Sequence, residues 1–370
     1  MKRVFDWLKG SRYTEPLSPG CRLCAEGAKM VLLVTGRCSA HCFYCPLSKK
    51  KLGKDVVYAN EWQLDNEDDV DKLFKEAKYI EAKGAGVTGG DPLIVWGRTK
   101  RYISLLKKRF GEDFHIHLYT SGVKGSEHIP DLVSVGLDEI RFHPPPQFWS
   151  NMDSSPTKKP VQIALAEDVD VAIEIPAIPN MDAEILSLIR WADEHGLKWV
   201  NLNELEFSET NCDELLKRGF DVKNDISAAA KGSEETAYHV VDEAARNDLE
   251  VGVHYCSSSF KDGIQLRNRI MRRARNVAKP FEVVSDDGTL LKGVIVSDSV
   301  SPALVEMLKQ RFGIPDGLIL FDEEKRRVEL AGWILEEIAS ELKKQGFECY
   351  LVEEYPTADR LEVERTPLPD

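Results

Sequence analysis

The sequence predicts an α/β protein: a complete or incomplete (β/α) barrel followed by a small C-terminal α+β domain. Two observations predict it. Short apolar runs alternate with longer amphipathic stretches over residues 29–256, the pattern of repeated parallel βα units. After Pro280 the alternation stops. A hairpin-like run from Phe281 to Ser297, helices near Ala303 and Leu330, and further strands ending at Arg365 replace it.

Seven strands are expected in the first part: Lys29 to Thr35, Gly84 to Thr88, Phe114 to Ser121, Glu139 to His143, Val169 to Ile175, Trp199 to Glu204 and Leu249 to Cys256. Helices fall between them, as at Asp68 to Lys83 and Asp182 to His195. The chain then divides into an N-terminal extension, residues 1–28, the barrel, residues 29–280, and the small domain, residues 281–370. With 370 residues and 42% hydrophobic content it has enough material for an ordinary core. The longest early apolar run, Met30 to Val34, is far shorter than a signal-peptide core or a membrane span, so no membrane partner is expected and the compartment reads as cytoplasmic. The formal net charge of -13 argues against a protein that coats nucleic acid, because such binding neutralises phosphates.

Eight cysteines in a reducing compartment make a poor disulfide framework, and clustered ones read as metal ligands. Directly after the first strand stands Cys38-Ser-Ala-His-Cys42-Phe-Tyr-Cys45, three thiols spaced C-x3-C-x2-C on one loop. Structural zinc sites close with four ligands, commonly from two separated C-x2-C halves, whereas three thiolates on one loop leave a fourth position open. An iron-sulfur cube held this way keeps one iron free for a ligand.

This triad, with aromatic Tyr44 before its last cysteine, resembles the signature of the radical S-adenosylmethionine superfamily, and the short loop is most similar to enzymes related to the pyruvate formate-lyase activating type. The resemblance implies a [4Fe-4S] cluster on Cys38, Cys42 and Cys45. It also implies S-adenosylmethionine as cosubstrate, cleaved to methionine and a 5′-deoxyadenosyl radical, and an electron donor such as flavodoxin or ferredoxin. Other positions agree with it. Gly89-Gly90-Asp91-Pro92 resembles the family's Gly-Gly-Glu-Pro turn, with Asp in place of Glu, and implies a contact with the amino group of S-adenosylmethionine. Thr120-Ser121-Gly122 is similar to the Thr-Asn-Gly ending that meets the ribose and carboxylate region.

Alternation along the strands adds a polar interior. His115, His117, Tyr119 and Ser121 share one face, as do Arg141 and His143; Glu174, Asn201, Asn203, His254 and Cys256 each lie opposite apolar neighbours. The apolar faces need helices, so the polar ones are expected to line a wet chamber. Glu174 and Asn201 are the candidates for cosubstrate contacts; Arg141, His143 and Asn203 are the candidates on the substrate side.

Cys21 and Cys24 form a C-x2-C pair on what reads as a tight loop. With Cys256, and with His254 or Cys212, they are candidates for an auxiliary iron-sulfur cluster or a structural zinc, against the alternative of unliganded thiols. Cys349 alternates with Phe347 and Leu351 and reads as core. Between Lys261 and Lys279, basic residues crowd a helical pattern whose apolar side is Leu266, Ile270, Ala274 and Val277, so its arginines are expected on the outside. Three readings result: a radical enzyme acting on an unidentified substrate, RNA or protein among the candidates; the same chemistry directed to RNA through the basic helix; or an iron-sulfur or zinc protein in electron transfer or binding.

Overall fold

The computed structural model describes residues 2–369. The chain divides into two compact units, residues 1–78 with 82–266 and residues 79–81 with 267–370.

In the first unit all seven expected strands form: β1 (Lys29–Leu33), β2 (Gly84–Thr88), β3 (His115–Thr120), β4 (Glu139–Phe142), β5 (Asp170–Ala177), β6 (Trp199–Glu204) and β7 (Gly252–Cys256). They pair in parallel in the order β1-β2-β3-β4-β5-β6-β7, and β1 and β7 do not meet, so the barrel is the incomplete form. A two-stranded hairpin covers each open edge. Val4–Asp6 and Arg12–Thr14 pair antiparallel, and Tyr13 and Arg12 bond to His254 and Tyr255 of β7; Tyr58–Ala59 and Trp62–Gln63 cap β1. Such covers occupy edge N–H and C=O groups that would otherwise template aggregation. Helices Val70–Tyr79, Trp96–Phe110, Asp182–Glu194 and Ser233–Arg246 turn one apolar side toward the sheet, burying Leu73, Ile103, Leu106, Ile185, Ile189 and Val240 against strand residues such as Ile116, Ile140 and Ile173.

The segment holding Cys21 and Cys24, expected as a loop, is a helix, Pro19–Ala25. Its start is written in the chain: the Ser18 hydroxyl accepts from Gly20 N, and Pro19 occupies the first turn, where its missing N–H costs nothing. This helix packs into the interior of the sheet. The Ser18 hydroxyl donates to Glu139 at 2.7 Å, and a Cβ on Gly20 would fall 2.6 Å from His117 Nδ1. Gly86 faces the other side of the same imidazole, a Cβ there lying 2.6 Å from Nε2, so His117 fits only because both neighbours lack side chains. The N-terminal half of the polar interior is therefore a packed layer, and the wet chamber is confined to the C-terminal ends of the strands.

In the second unit β8 (Val283–Val284) and β9 (Leu290–Val296) form the hairpin, and β10 (Ile319–Asp322), β11 (Arg327–Leu330), β12 (Glu348–Glu354) and β13 (Glu362–Pro367) complete an antiparallel sheet ordered β10-β11-β9-β12-β13. Helices Pro302–Phe312 and Gly332–Lys343 bury Leu308, Leu335 and Ile338 with Ile295, Val328, Leu330 and Cys349. The register puts Lys292, Glu329 and Glu354 on the opposite face, where all three are buried. Lys292 Nζ bridges Glu282, Glu329 and Glu354 at 3.2, 2.8 and 2.7 Å. Arg327 also pairs with Glu329 and Glu354. The basic helix, Arg267–Val277, belongs to this unit, and its arginines are not all outward: Arg273 is buried with its guanidinium over Tyr79, and Arg272 donates to the carbonyls of Ile80 and Glu81.

Removing Lys292 takes away the one cation that three buried carboxylates share, leaving Glu329 and Glu354 to Arg327, Lys279 and Lys325 and Glu282 to Arg360, so Lys292→Met should destabilise the chain by about 3 kcal/mol. Urea unfolding followed by circular dichroism checks this, and a loss below about 1 kcal/mol would show the cluster to be dispensable. Burial alone would raise the Glu329 carboxyl, but the Lys292 and Lys279 ammonium groups outweigh it and hold it down to about 2. A carboxyl depressed by folding stabilises the native state above its ordinary value near 4.5 and loses that contribution as pH falls toward 2. The urea midpoint should therefore drop across that window, and Glu329→Gln should flatten the drop.

Candidate functional site

The loop after β1 has no regular secondary structure and carries Cys38, Cys42 and Cys45, all half-buried and free of disulfides. Its position is fixed by backbone contact with the turn after β2. Gly90 N donates to Thr35 O and Asp91 N to Arg37 O, both at 2.8 Å. A Cβ on Gly89 would lie 2.2 Å from Thr35 O, and one on Gly90 2.2 Å from Arg37 O. Only glycine lets the two chains come this close.

Asp91 faces away from the loop. It is fully buried and accepts from Leu93 N, Thr120 Oγ1, Ser121 N and Ser121 Oγ at 2.6 to 3.1 Å, stapling the end of β2 to the end of β3. The shorter aspartate fits that enclosed role. Pro92 begins the 3-10 turn that Asp91 caps.

The three cysteines, Tyr44, Gly89, Gly90, Thr120, Ser121, His143, Glu174 and Asn203 line one open cavity of about 690 Å³, with Ile175, Pro176 and Leu205 as an apolar wall. The donor chemistry fits an iron-sulfur cluster: three soft thiol ligands from one loop face a cavity large enough for a further ligand, and Ala40 N already donates to Cys38 Sγ at 3.3 Å.

His143 joins this loop to the sheet. Its Nδ1 donates to Glu174 O at 2.7 Å, which leaves Nε2 to accept from Tyr44 Oη at 2.8 Å. Burial lowers its pKa, so the ring is neutral. Glu174 is held at both oxygens, by Asn203 Nδ2 at 2.8 Å and by Arg141 Nη1 at 2.7 Å. Arg141 itself does not line the cavity. Its buried guanidinium also donates to Glu139 at 2.6 Å and to Ser18 Oγ at 3.0 Å, so it connects the interior helix to Glu174.

Asn201 also lies in the packed layer below the cavity, accepting from Cys21 Sγ at 3.6 Å. His254 is buried beside Trp7 and Tyr13, and burial pushes its pKa down to about 3. Cys256 accepts from Gln265 Nε2, and burial pushes its thiol up to about 12. Burial likewise raises the thiols of Cys21 and Cys24, which suits neutral packed side chains. Cys212 begins helix Cys212–Lys217, directly after Asn211, whose side chain bonds the cysteine loop at Tyr44 O.

One part of the site had no counterpart in the sequence reading. Residues 205–231, between β6 and helix Ser233–Arg246 and including the short helix Cys212–Lys217, clamp the cysteine loop. Buried Asn211 donates to Tyr44 O at 3.1 Å and to Glu206 O at 2.9 Å, Thr210 Oγ1 donates to Cys45 O, and Arg218 lies 4.3 Å over the Phe43 ring. The available signal was the Ser208-Glu-Thr-Asn211 run, whose small polar side chains favour turns that bond neighbouring backbone.

Residues 32–151 match the Radical SAM superfamily model, and residues 288–368 match a domain of unknown function, DUF8061. A protein of Methanocaldococcus jannaschii named "putative glycyl-radical enzyme activating enzyme" is 44% identical over 362 residues, 96% of this chain and 93% of its own length. A GTP 3′,8-cyclase of Bradyrhizobium diazoefficiens is 25% identical over 179 residues, 44% of this chain and 48% of its own. Among solved structures, Streptococcus suis SuiB bound to S-adenosylmethionine matches with a TM-score of 0.43 and 9% identity, over 64% of this chain and 53% of that one. No helix among the described residues is long and apolar enough to cross a membrane. Identity of 44% to one relative over nearly the full length of both chains and the match of the cysteine-bearing region to the superfamily model lead to one conclusion: this chain belongs to the radical S-adenosylmethionine superfamily and is a radical SAM enzyme.

Proposed function

We propose that Cys38, Cys42 and Cys45 hold the cluster and that the cavity beside them binds S-adenosylmethionine together with part of a protein substrate, from which a hydrogen atom is taken. The observation that carries this is the convergence of three thiols, a double-glycine turn, Ser121, Glu174 and Asn203 on one cavity. When bound, the cluster supplies the electron that splits S-adenosylmethionine into methionine and a 5′-deoxyadenosyl radical.

The protein's own side chains position and shield. The backbone of Gly89 and Gly90, which lines the cavity beside the cysteines, receives the amino acid end of the cosubstrate. Glu174 is fixed by Arg141 and Asn203 but keeps lone pairs for the ribose hydroxyls, since a carboxylate offers about four acceptor sites. Phe43, Ile175 and Leu205 give the adenine an apolar surface, and neutral His143 keeps Tyr44 and its loop in register. A protein substrate is supported by the name of the 44% identical relative, which specifies activation of a glycyl-radical enzyme. On that reading the hydrogen comes from a backbone glycine presented at the open side of the cavity.

After anaerobic reconstitution, dithionite and S-adenosylmethionine should yield 5′-deoxyadenosine. Alanine at Cys38, Cys42 or Cys45 should abolish it, while Cys21→Ala should leave it largely intact; a reduced cluster that forms no 5′-deoxyadenosine would falsify the proposal. Glu174→Gln removes the charge from hydrogen bonds worth about 1.5–3 kcal/mol, so affinity for S-adenosylmethionine should fall roughly 10- to 100-fold. Isothermal titration of the reconstituted protein measures this, and unchanged affinity would remove Glu174 from the cosubstrate site.

A further inference from the structure

From Gly36 to Lys54 the chain contains Arg37, Lys49, Lys50, Lys51 and Lys54 and no acid, in a protein whose formal net charge is -13. The lysines sit on a rigid turn. Lys51 N and Leu52 N both donate to Ser48 O, and Lys54 N donates to Lys51 O. The turn is bolted to the start of the cysteine loop: Gly36 N donates to Lys54 O and Gly53 N to Gly36 O, each at 2.8 Å, and a Cβ on Gly36 would lie 1.7 Å from Lys51 O. The Lys51 ammonium is turned onto the Tyr58 ring at 4.5 Å. Lys49, Lys50 and Lys54 are exposed and form no ion pair among the described residues, and between them Leu52 is 42% exposed. Two acids that adjoin the turn have other partners, Asp55 with Arg98 at 2.6 Å and Glu209 with the backbone N–H of Lys49 at 2.8 Å.

We propose that this turn is the docking surface for an acidic one-electron carrier protein. The inference rests on the radical reading above. Each cleavage of S-adenosylmethionine consumes one electron at the cluster, and a protein must deliver the next electron close to the cysteine loop. An acidic carrier is repelled by most of this chain and attracted to a local row of unpaired ammonium groups. An exposed leucine ringed by charge is also the usual anatomy of a small interface, an apolar centre with a charged rim. The other basic stretch, Arg267–Val277, has arginines committed within its own unit: Arg267 to Asp287, Arg272 to Ile80 and Glu81 carbonyls.

The test compares the full-length reconstituted enzyme with Lys49→Glu/Lys50→Glu/Lys54→Glu and with the milder triple change to Gln. The probe is an acidic two-cluster ferredoxin, its binding measured by titration in the oxidised state and its electron delivery measured as 5′-deoxyadenosine formed. Ferredoxin affinity and the ferredoxin-driven kcat/KM should fall about 10- to 100-fold with Glu and less with Gln, with wild-type binding weakening as salt rises. The dithionite-driven rate should not change. Ferredoxin binding equal to wild type in the Glu variant overturns the proposal. Unaltered ferredoxin binding with loss of affinity for a labelled tRNA would assign the turn to nucleic acid instead. If wild type makes no 5′-deoxyadenosine even with dithionite, the radical reading fails, while the binding titration still decides whether the turn docks the carrier.

Discussion

The site depends on backbone touching backbone. The cysteine loop has no secondary structure of its own, and two hydrogen bonds to the Gly89-Gly90-Asp91 turn fix where it begins. A loop of this kind loses substantial conformational entropy when held in one shape, on the order of 1–2 kcal/mol per residue. Contacts from outside must offset that cost. They come from the glycine turn on one side, from His143 through Tyr44 on a second, and from Asn211 and Thr210 on a third.

A second constraint works from below. Arg141 is buried, so its charge must be matched, and its partners are drawn from three places: Glu139 on its own strand, Glu174 on β5 and Ser18 on the interior helix. The N-terminal extension is thereby part of the site's foundation. The interior helix fills the lower half of the open sheet and holds the arginine that aims Glu174 at the cavity above.

Much of this was legible in the sequence because it follows from local patterning. All seven parallel strands could be read, since apolar alternation and βα spacing are short-range signals. The cysteine spacing and the double glycine were also visible, because both are contiguous. What could not be read depends on which distant segments meet. Parity assigned Arg141, Asn201 and His254 to the interior correctly, yet it cannot say whether an interior position is wet or packed; that depended on helix Pro19–Ala25, whose Ser-Pro start is a local signal but whose destination is not. The clamp by residues 205–231 was invisible for the same reason, as Asn211 and Tyr44 stand 167 positions apart.

The two hairpins on the open edges and the clamp over the loop share a logic. An incomplete barrel leaves one side of its lumen without strand pairing, which admits a bulky substrate but exposes both edge strands. Covering β1 and β7 with short antiparallel hairpins satisfies those edges without closing the ring. The opening then remains at the C-terminal ends, where the cavity lies. A closed barrel would remove the edges altogether but would restrict entry to whatever fits through its mouth. The open form, with the interior helix packed into its lower half, leaves the cavity broad at the ends of the strands that carry the cysteine loop and Glu174.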